Sequence, residues 1–94
     1  MTEFYTYILE CSDRSLYTGY TVDLEKRLKN HNSGRASKYT ASRLPVKLAA
    51  YWTFDSKSTA MRMEAAIKKL RREEKLHLIS SNIDSCQLKK ALLA

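Results

Sequence analysis

Two short runs near the N-terminus, Phe4 to Cys11 and Leu16 to Thr21, constrain this chain most. Both are rich in aromatic and β-branched residues, the composition of strands. Between them Ser12-Asp13-Arg14-Ser15 is a cluster of turn formers, so the two runs are predicted to pair as an antiparallel β-hairpin. A lone hairpin is marginal in water and must be completed. The completing strand is predicted at Val46 to Phe54. Alternation there places Val46, Leu48, Ala50, Trp52 and Phe54 on one face and Lys47, Ala49, Tyr51 and Thr53 on the other. Three short strands cannot furnish two sheets, so a single three-stranded antiparallel sheet is expected.

The intervening segments read as helices. Asp23 to Asn32 carries Leu24 and Leu28 on one face, with Thr21 or Asp23 as cap and Asn32-Ser33-Gly34 as stop. Thr59 to Arg72 has an inner stripe of Ala60, Met63, Ile67 and Leu70, with caps offered by Asp55-Ser56-Lys57-Ser58. A shorter helix is expected over Lys75 to Ser80, with Leu76 and Ile79 inward. The order β-β-α-β-α-α makes an α+β fold, a small sheet flanked by helices. Residues 1–80 are taken as the domain and 81–94 as a C-terminal tail, either an optional helix or loosely attached. Gly19, inside the second strand, predicts a backbone approached closely by something, or a bulge.

Charge points to a partner. Seventeen Lys and Arg against ten Asp and Glu leave a formal charge of +7, which favours a polyanion because neutralised phosphates release counterions. From Asn32 to Leu48 the chain carries Arg35, Lys38, Arg43 and Lys47 and no acid; within it Arg35 to Leu44 reads as a basic loop, the predicted nucleic-acid contact through Arg35, Lys38 and Arg43. Cys11 and Cys86 are too few for a disulfide scaffold and read as reduced thiols. The first residues lack the basic and apolar regions of a signal peptide, and no apolar stretch approaches spanning length, so a cytoplasmic protein without membrane contact is expected.

Two features exceed the needs of folding. Glu64 lies four residues after Ala60 and three before Ile67, inside an apolar stripe. A carboxylate there requires a partner, either a metal or a cation such as Lys68 one turn on. Six of the nine aromatic residues are Tyr, and Tyr7 and Tyr17 lie on paired strands. Tyrosine in alternating strands is commonly half-buried packing. Arg27 and His31 are four apart and share a helix face. A carboxylate that holds a divalent metal, an Arg that fits phosphate oxygens and a His or Tyr that relays a proton are the types phosphodiester hydrolysis uses.

Tyr5-Thr6-Tyr7-Ile8-Leu9 followed by Tyr17-Thr18-Gly19 resembles the paired signatures of the GIY-YIG endonuclease superfamily, with Thr18 where the motif has Ile. Arg27-x-x-x-His31 matches the family's helix, and Glu64 its metal-binding Glu. Leu16-Tyr17-Thr18-Gly19, the run from Leu24 to Gly34 and Ala36-Ser37-Lys38-Tyr39-Thr40 look closer still to the small bacterial stand-alone members. The resemblance covers residues 4 to 80. It implies metal-dependent cleavage of nucleic acid, DNA first, on repair or recombination intermediates. Tyr7 would abstract the proton with Tyr17 assisting, Arg27 orient the phosphate, His31 relay the proton and Glu64 hold Mg²⁺ or Mn²⁺. Asn82 is a poor match to a late Asn of the family. With no separate targeting domain, specificity is expected to be low or supplied by a protein partner. A nucleic-acid-binding module that keeps the fold without useful activity, and a protein-interaction domain, are the alternatives.

Overall fold

The computed structural model describes residues 3–93. The hairpin pairs β1 (Phe4–Glu10) with β2 (Leu16–Thr21), and β3 (Lys47–Phe54) joins on the other side of β1. All pairings are antiparallel and the order is β2-β1-β3, so the first strand is central. That position explains its burial. Thr6, Tyr7, Ile8 and Leu9 are all buried, because helices cover both faces of the sheet.

On one face lie α1 (Leu24–Asn32) and the single-turn α2 (Lys38–Ala41); on the other lie α3 (Lys57–Lys68) and α5 (Ser85–Leu93). Helix α4 (Arg72–Ser81) lies between α3 and α5 in sequence. Polar side chains start the helices where expected. Asp23 accepts from the Lys26 N–H at 3.0 Å, and Ser56 from the Thr59 N–H at 3.0 Å. Asn82 ends α4 in the left-handed conformation, φ 54°.

Three expectations are corrected. The first concerns β3. A register shift opposite Ile8 and Leu9 pairs Ile8 with Ala50 but Leu9 with Leu48, leaving Ala49 as the extra residue. A bulge of this kind inverts the alternation. Val46 and Leu48 therefore pack with Tyr7 and Leu9 on the α1 side, while Ala50, Trp52 and Phe54 pack with Ile8 on the α3 side. The second concerns α4, which presents Leu78 and Ile79 to the core and leaves Leu76 41% exposed. The third concerns residues 35–44, where α2 interrupts the expected loop.

The C-terminal residues form a helix whose Leu88 is fully buried among Trp52, Met63 and Ile67. The α5 region is also tied to the sheet. Trp52 Nε1 donates to the Ile83 carbonyl at 2.9 Å, and the Thr53 N–H donates to Ser85 Oγ at 3.2 Å.

Candidate active site

The site is built on the α1 face of the β1–β2 hairpin. Tyr7 and Gly19 are cross-strand partners. A Cβ at Gly19 would overlap the Tyr7 hydroxyl and ring, so this glycine is where the phenol lies flat across β2. That is the close approach Gly19 predicts, and Tyr7 supplies it.

The phenol ends on α1. Tyr7 Oη and His31 Nε2 are 2.9 Å apart, and His31 Nδ1 is 2.8 Å from Thr40 Oγ1 on α2. Tyr7 is 1% exposed, and His31 and Thr40 are fully buried. Tyr17 packs edge-on against the His31 ring at 5.1 Å between centroids, and stacks on Tyr39 at 6.1 Å. His31 sits at the C-terminal end of α1, yet it is buried and wired into the core rather than held as a surface charge.

The electrostatics of Tyr7 locate the remaining members. Burial raises its hydroxyl well above the usual phenol value; the neighbouring Tyr17 and the Glu64 carboxylate raise it further, and Arg27 pulls it down. Burial, with Arg27 beside it, holds His31 below the usual imidazole value, so the ring is neutral at pH 7. The structure brings Tyr7, Tyr17 and His31 into contact, with Arg27 beside Tyr7 and His31, while the Glu64 carboxylate on α3 reaches Tyr7 only as a charge.

Glu64 flanks the buried stripe of α3 instead of lying within it. Its Oε2 is 3.3 Å from Lys68 Nζ, and the two side chains are 23% and 52% exposed. Such a pair contributes about 0–1 kcal/mol, little enough for a more highly charged cation to displace Lys68.

Of the three cations predicted for phosphate contact, Arg35 and Lys38 are exposed. Arg43 is committed elsewhere. Its Nε bonds Asp13 Oδ2 at 3.1 Å, an NH group donates to the Tyr39 carbonyl at 2.9 Å, and its guanidinium lies 3.9 Å above the Tyr39 ring. Asn82 lines a groove against the outer edge of β3, on the opposite side of the sheet from β2, and has a local backbone role as the α4 cap.

Two contributors escape sequence reading. Asn32 makes two bonds to Val46, accepting from its N–H at 2.8 Å and donating to its carbonyl at 3.0 Å. It fastens the end of α1 to the start of β3, where sequence suggests only a helix stop. Thr40 is the other; its position within Lys38-Tyr39-Thr40 resembles the stand-alone proteins, but nothing in spacing links it to His31.

A two-tyrosine hairpin set against an Arg/His helix and a Glu-bearing helix defines a catalytic domain of the GIY-YIG type. The chain belongs to this family: the model of the GIY-YIG catalytic domain matches residues 3–77. Within it, the chain is similar to the UPF0213 protein YsiG of Lactococcus lactis, 56% identical over 88% of this chain and 81% of the relative. A UPF0213 protein of Syntrophus aciditrophicus is 57% identical over 87% of this chain and 95% of its own. Among solved structures, the UPF0213 protein BH0048 from Bacillus halodurans is 46% identical and covers 96% of both chains, with TM-score 0.57. EF2693 from E. faecalis is 38% identical over 87% and 88% of the two chains, with TM-score 0.58. These relatives carry names that specify no activity. No helix among the described residues is long and apolar enough to cross a membrane.

Proposed function

We propose that this chain hydrolyses phosphodiester bonds of nucleic acid, DNA first, with little regard to sequence. The observation that carries the reading is the buried 2.9 Å bond between Tyr7 Oη and His31 Nε2, with Arg27 beside the same hydroxyl. A fold alone does not demand a phenol, an imidazole and a guanidinium around one buried point.

In this reading Tyr7 takes a proton from the attacking water as its own proton passes to His31. The ordinary values of phenol and imidazole, about 10 and 6.5, already make that transfer unfavourable by about 5 kcal/mol, and both shifts widen the gap. The neutral pair is therefore the resting state, and the proton moves only in concert with attack on phosphorus. Arg27 neutralises charge growing on the phosphate oxygens, which its planar fork fits. Tyr17 packs on the His31 ring and limits its motion.

The donor set bears on the metal. Among the described residues no group of three or more His, Cys, Asp or Glu could enclose an ion. Mg²⁺ or Mn²⁺ needs no such cage, since it keeps several waters and binds through one or two carboxylates plus substrate phosphates. Glu64 fits as that carboxylate. When bound, the ion would polarise the phosphate and steady the leaving oxygen. Exposed Arg35 and Lys38 would contact the backbone of any sequence alike, which suits a repair or recombination intermediate better than a defined site.

The test is incubation with DNA and RNA in several forms, with Mg²⁺, Mn²⁺ or chelator, for wild type and Glu64→Gln. Metal-dependent cleavage by wild type and none by the variant, at unchanged melting temperature, is expected. Wild-type cleavage rates in Glu64→Gln refute the metal role. A second reading, a binding module without turnover, is favoured by the seclusion of Tyr7 and the Lys68 partner of Glu64. It is upheld by salt-dependent binding with no cleavage under any of these conditions.

A further inference from the structure

The Tyr7–His31 bond has two possible polarities, and only one makes His31 a proton acceptor. Thr40 decides between them. Its Oγ1 lies 2.8 Å from His31 Nδ1 and 3.3 Å from the Ser37 carbonyl, in the turn that forms α2. A carbonyl only accepts, so a Thr40 hydroxyl that donates to Ser37 leaves its oxygen free to accept from Nδ1–H. Nε2 then carries the lone pair and accepts from the Tyr7 hydroxyl. Every hydrogen in the chain from Tyr7 to Ser37 has an acceptor.

The opposite polarity fails this accounting. If Thr40 donated to Nδ1, the ring would donate from Nε2 to Tyr7, and the Tyr7 O–H would need an acceptor of its own. Among the described residues His31 is the only side chain bonded to the Tyr7 hydroxyl that can accept a hydrogen bond. Arg27, which lies beside that oxygen, offers donors alone. A buried orphan O–H lowers the population of that arrangement, by on the order of a hundredfold at the upper end. The doubly protonated ring is disfavoured too, since burial and Arg27 both oppose its charge.

We propose that Thr40 is a positioning residue that locks His31 in the Nδ1–H tautomer, so that Nε2 stands ready to receive the Tyr7 proton. The role rests on the hydrolytic reading for its catalytic meaning but not for its geometry. As water attacks, the Tyr7 O–H bond breaks and an Nε2–H bond forms. The water proton replaces the one Tyr7 has lost, and the imidazolium that results is held by its Nδ1–H bond to Thr40. The Thr40 proton stays on Thr40. Because α2 belongs to the acid-free segment from Asn32 to Leu48, the same short helix that holds the tautomer follows Arg35 and carries Lys38.

The experiment is a long-range ¹H–¹⁵N spectrum of ¹⁵N-histidine-labelled protein, which identifies the protonated ring nitrogen. Of the two histidines, His77 is removed by His77→Gln to assign the signals. In that background His31 is expected to show Nδ1–H with bare Nε2. Thr40→Val should convert it to Nε2–H or a mixture, and Thr40→Ser should restore Nδ1–H. Should Thr40→Val fail to fold, Thr40→Ala offers the same loss of acceptor with less constraint at Cβ. An Nε2–H tautomer in the parent, or an unchanged Nδ1–H signal in the folded Val or Ala variant, overturns the proposal. Cleavage is followed in parallel. A loss of tenfold or more in Thr40→Val, rescued by Ser and without change in nucleic-acid affinity, joins the tautomer to catalysis. The expected spectra in a parent that cleaves nothing uphold the tautomer lock and overturn the hydrolytic reading.

Discussion

The two faces of the sheet are packed on different principles. Against α3 and α5 the fully buried apolar side chains are Ile8, Ala60, Met63, Ile67 and Leu88, and Trp52 and Phe54 close the cluster. The one fully buried polar side chain among the described residues there, Thr6, donates to the Ala60 carbonyl. Against α1 and α2 the buried set includes Tyr7, His31 and Thr40, joined end to end by hydrogen bonds. The first face obtains its free energy from area removed from water. The second buries three polar groups in a domain small enough to have little stability to spare, and a satisfied polar chain of that kind adds less than apolar packing of equal volume. The difference separates folding from chemistry within a single layer of backbone. Residues 6 and 8 of β1 serve one face and residues 7 and 9 the other.

Substitutions can break this division. The largest effect is expected from Ile67→Ala on the apolar face, which should lower stability by about 2–5 kcal/mol, measured by urea unfolding, while cleavage per folded molecule stays at the wild-type value. A change in that specific activity would show the faces to be coupled. Arg27→Ala should do the reverse. Cleavage should fall by about 10²–10³-fold, as for loss of one group that stabilises developing charge, with the melting temperature unmoved and binding little weakened. Equal losses of binding and rate would assign Arg27 to ground-state contact instead.

Gly19→Ala tests stability and chemistry at once, because its Cβ must push the Tyr7 ring aside. Overpacking of this kind costs about 1–3 kcal/mol, and cleavage should fall alongside stability. Retention of full activity would mean that the phenol position is not critical. The smallest effect is expected at Thr18. Its buried Oγ1 has no hydrogen-bond partner among the described residues, and it pairs with Ile8, so it faces the apolar side. Thr18→Val keeps the shape and should raise stability by on the order of 1 kcal/mol. A loss of stability would show that the hydroxyl has a partner in solution.

Much of the site was legible in the sequence because it depends on local spacing. Arg27 and His31 share a face of α1 by helical geometry alone, and the hairpin turn at Ser12 to Ser15 places Tyr7 and Tyr17 on neighbouring strands. Gly19 marks a close approach whose partner only the pairing register identifies. Glu64 shows the limit of spacing. Its interval from Ala60 and Ile67 suggests an inward carboxylate, and the fold turns it to the flank beside Lys68. Arg43 shows the same limit for charge, since a basic run read as one contact surface contains a guanidinium already held by Asp13 and Tyr39.

By itself the sequence determined the order of the three strands with α1, α3 and α4, the hairpin, the caps at Asp23 and Ser56 and the apolar stripe of α3. Each of these follows from interactions between residues close along the chain. The tertiary structure alone decided that β1 is central, that a bulge at Ala49 sends the two halves of β3 to opposite faces, and that Thr40 meets His31. These depend on register and on packing between distant segments. A shift of one residue exchanges the faces of a strand without changing its composition, and a hydrogen bond between separate helices leaves no periodic trace in either.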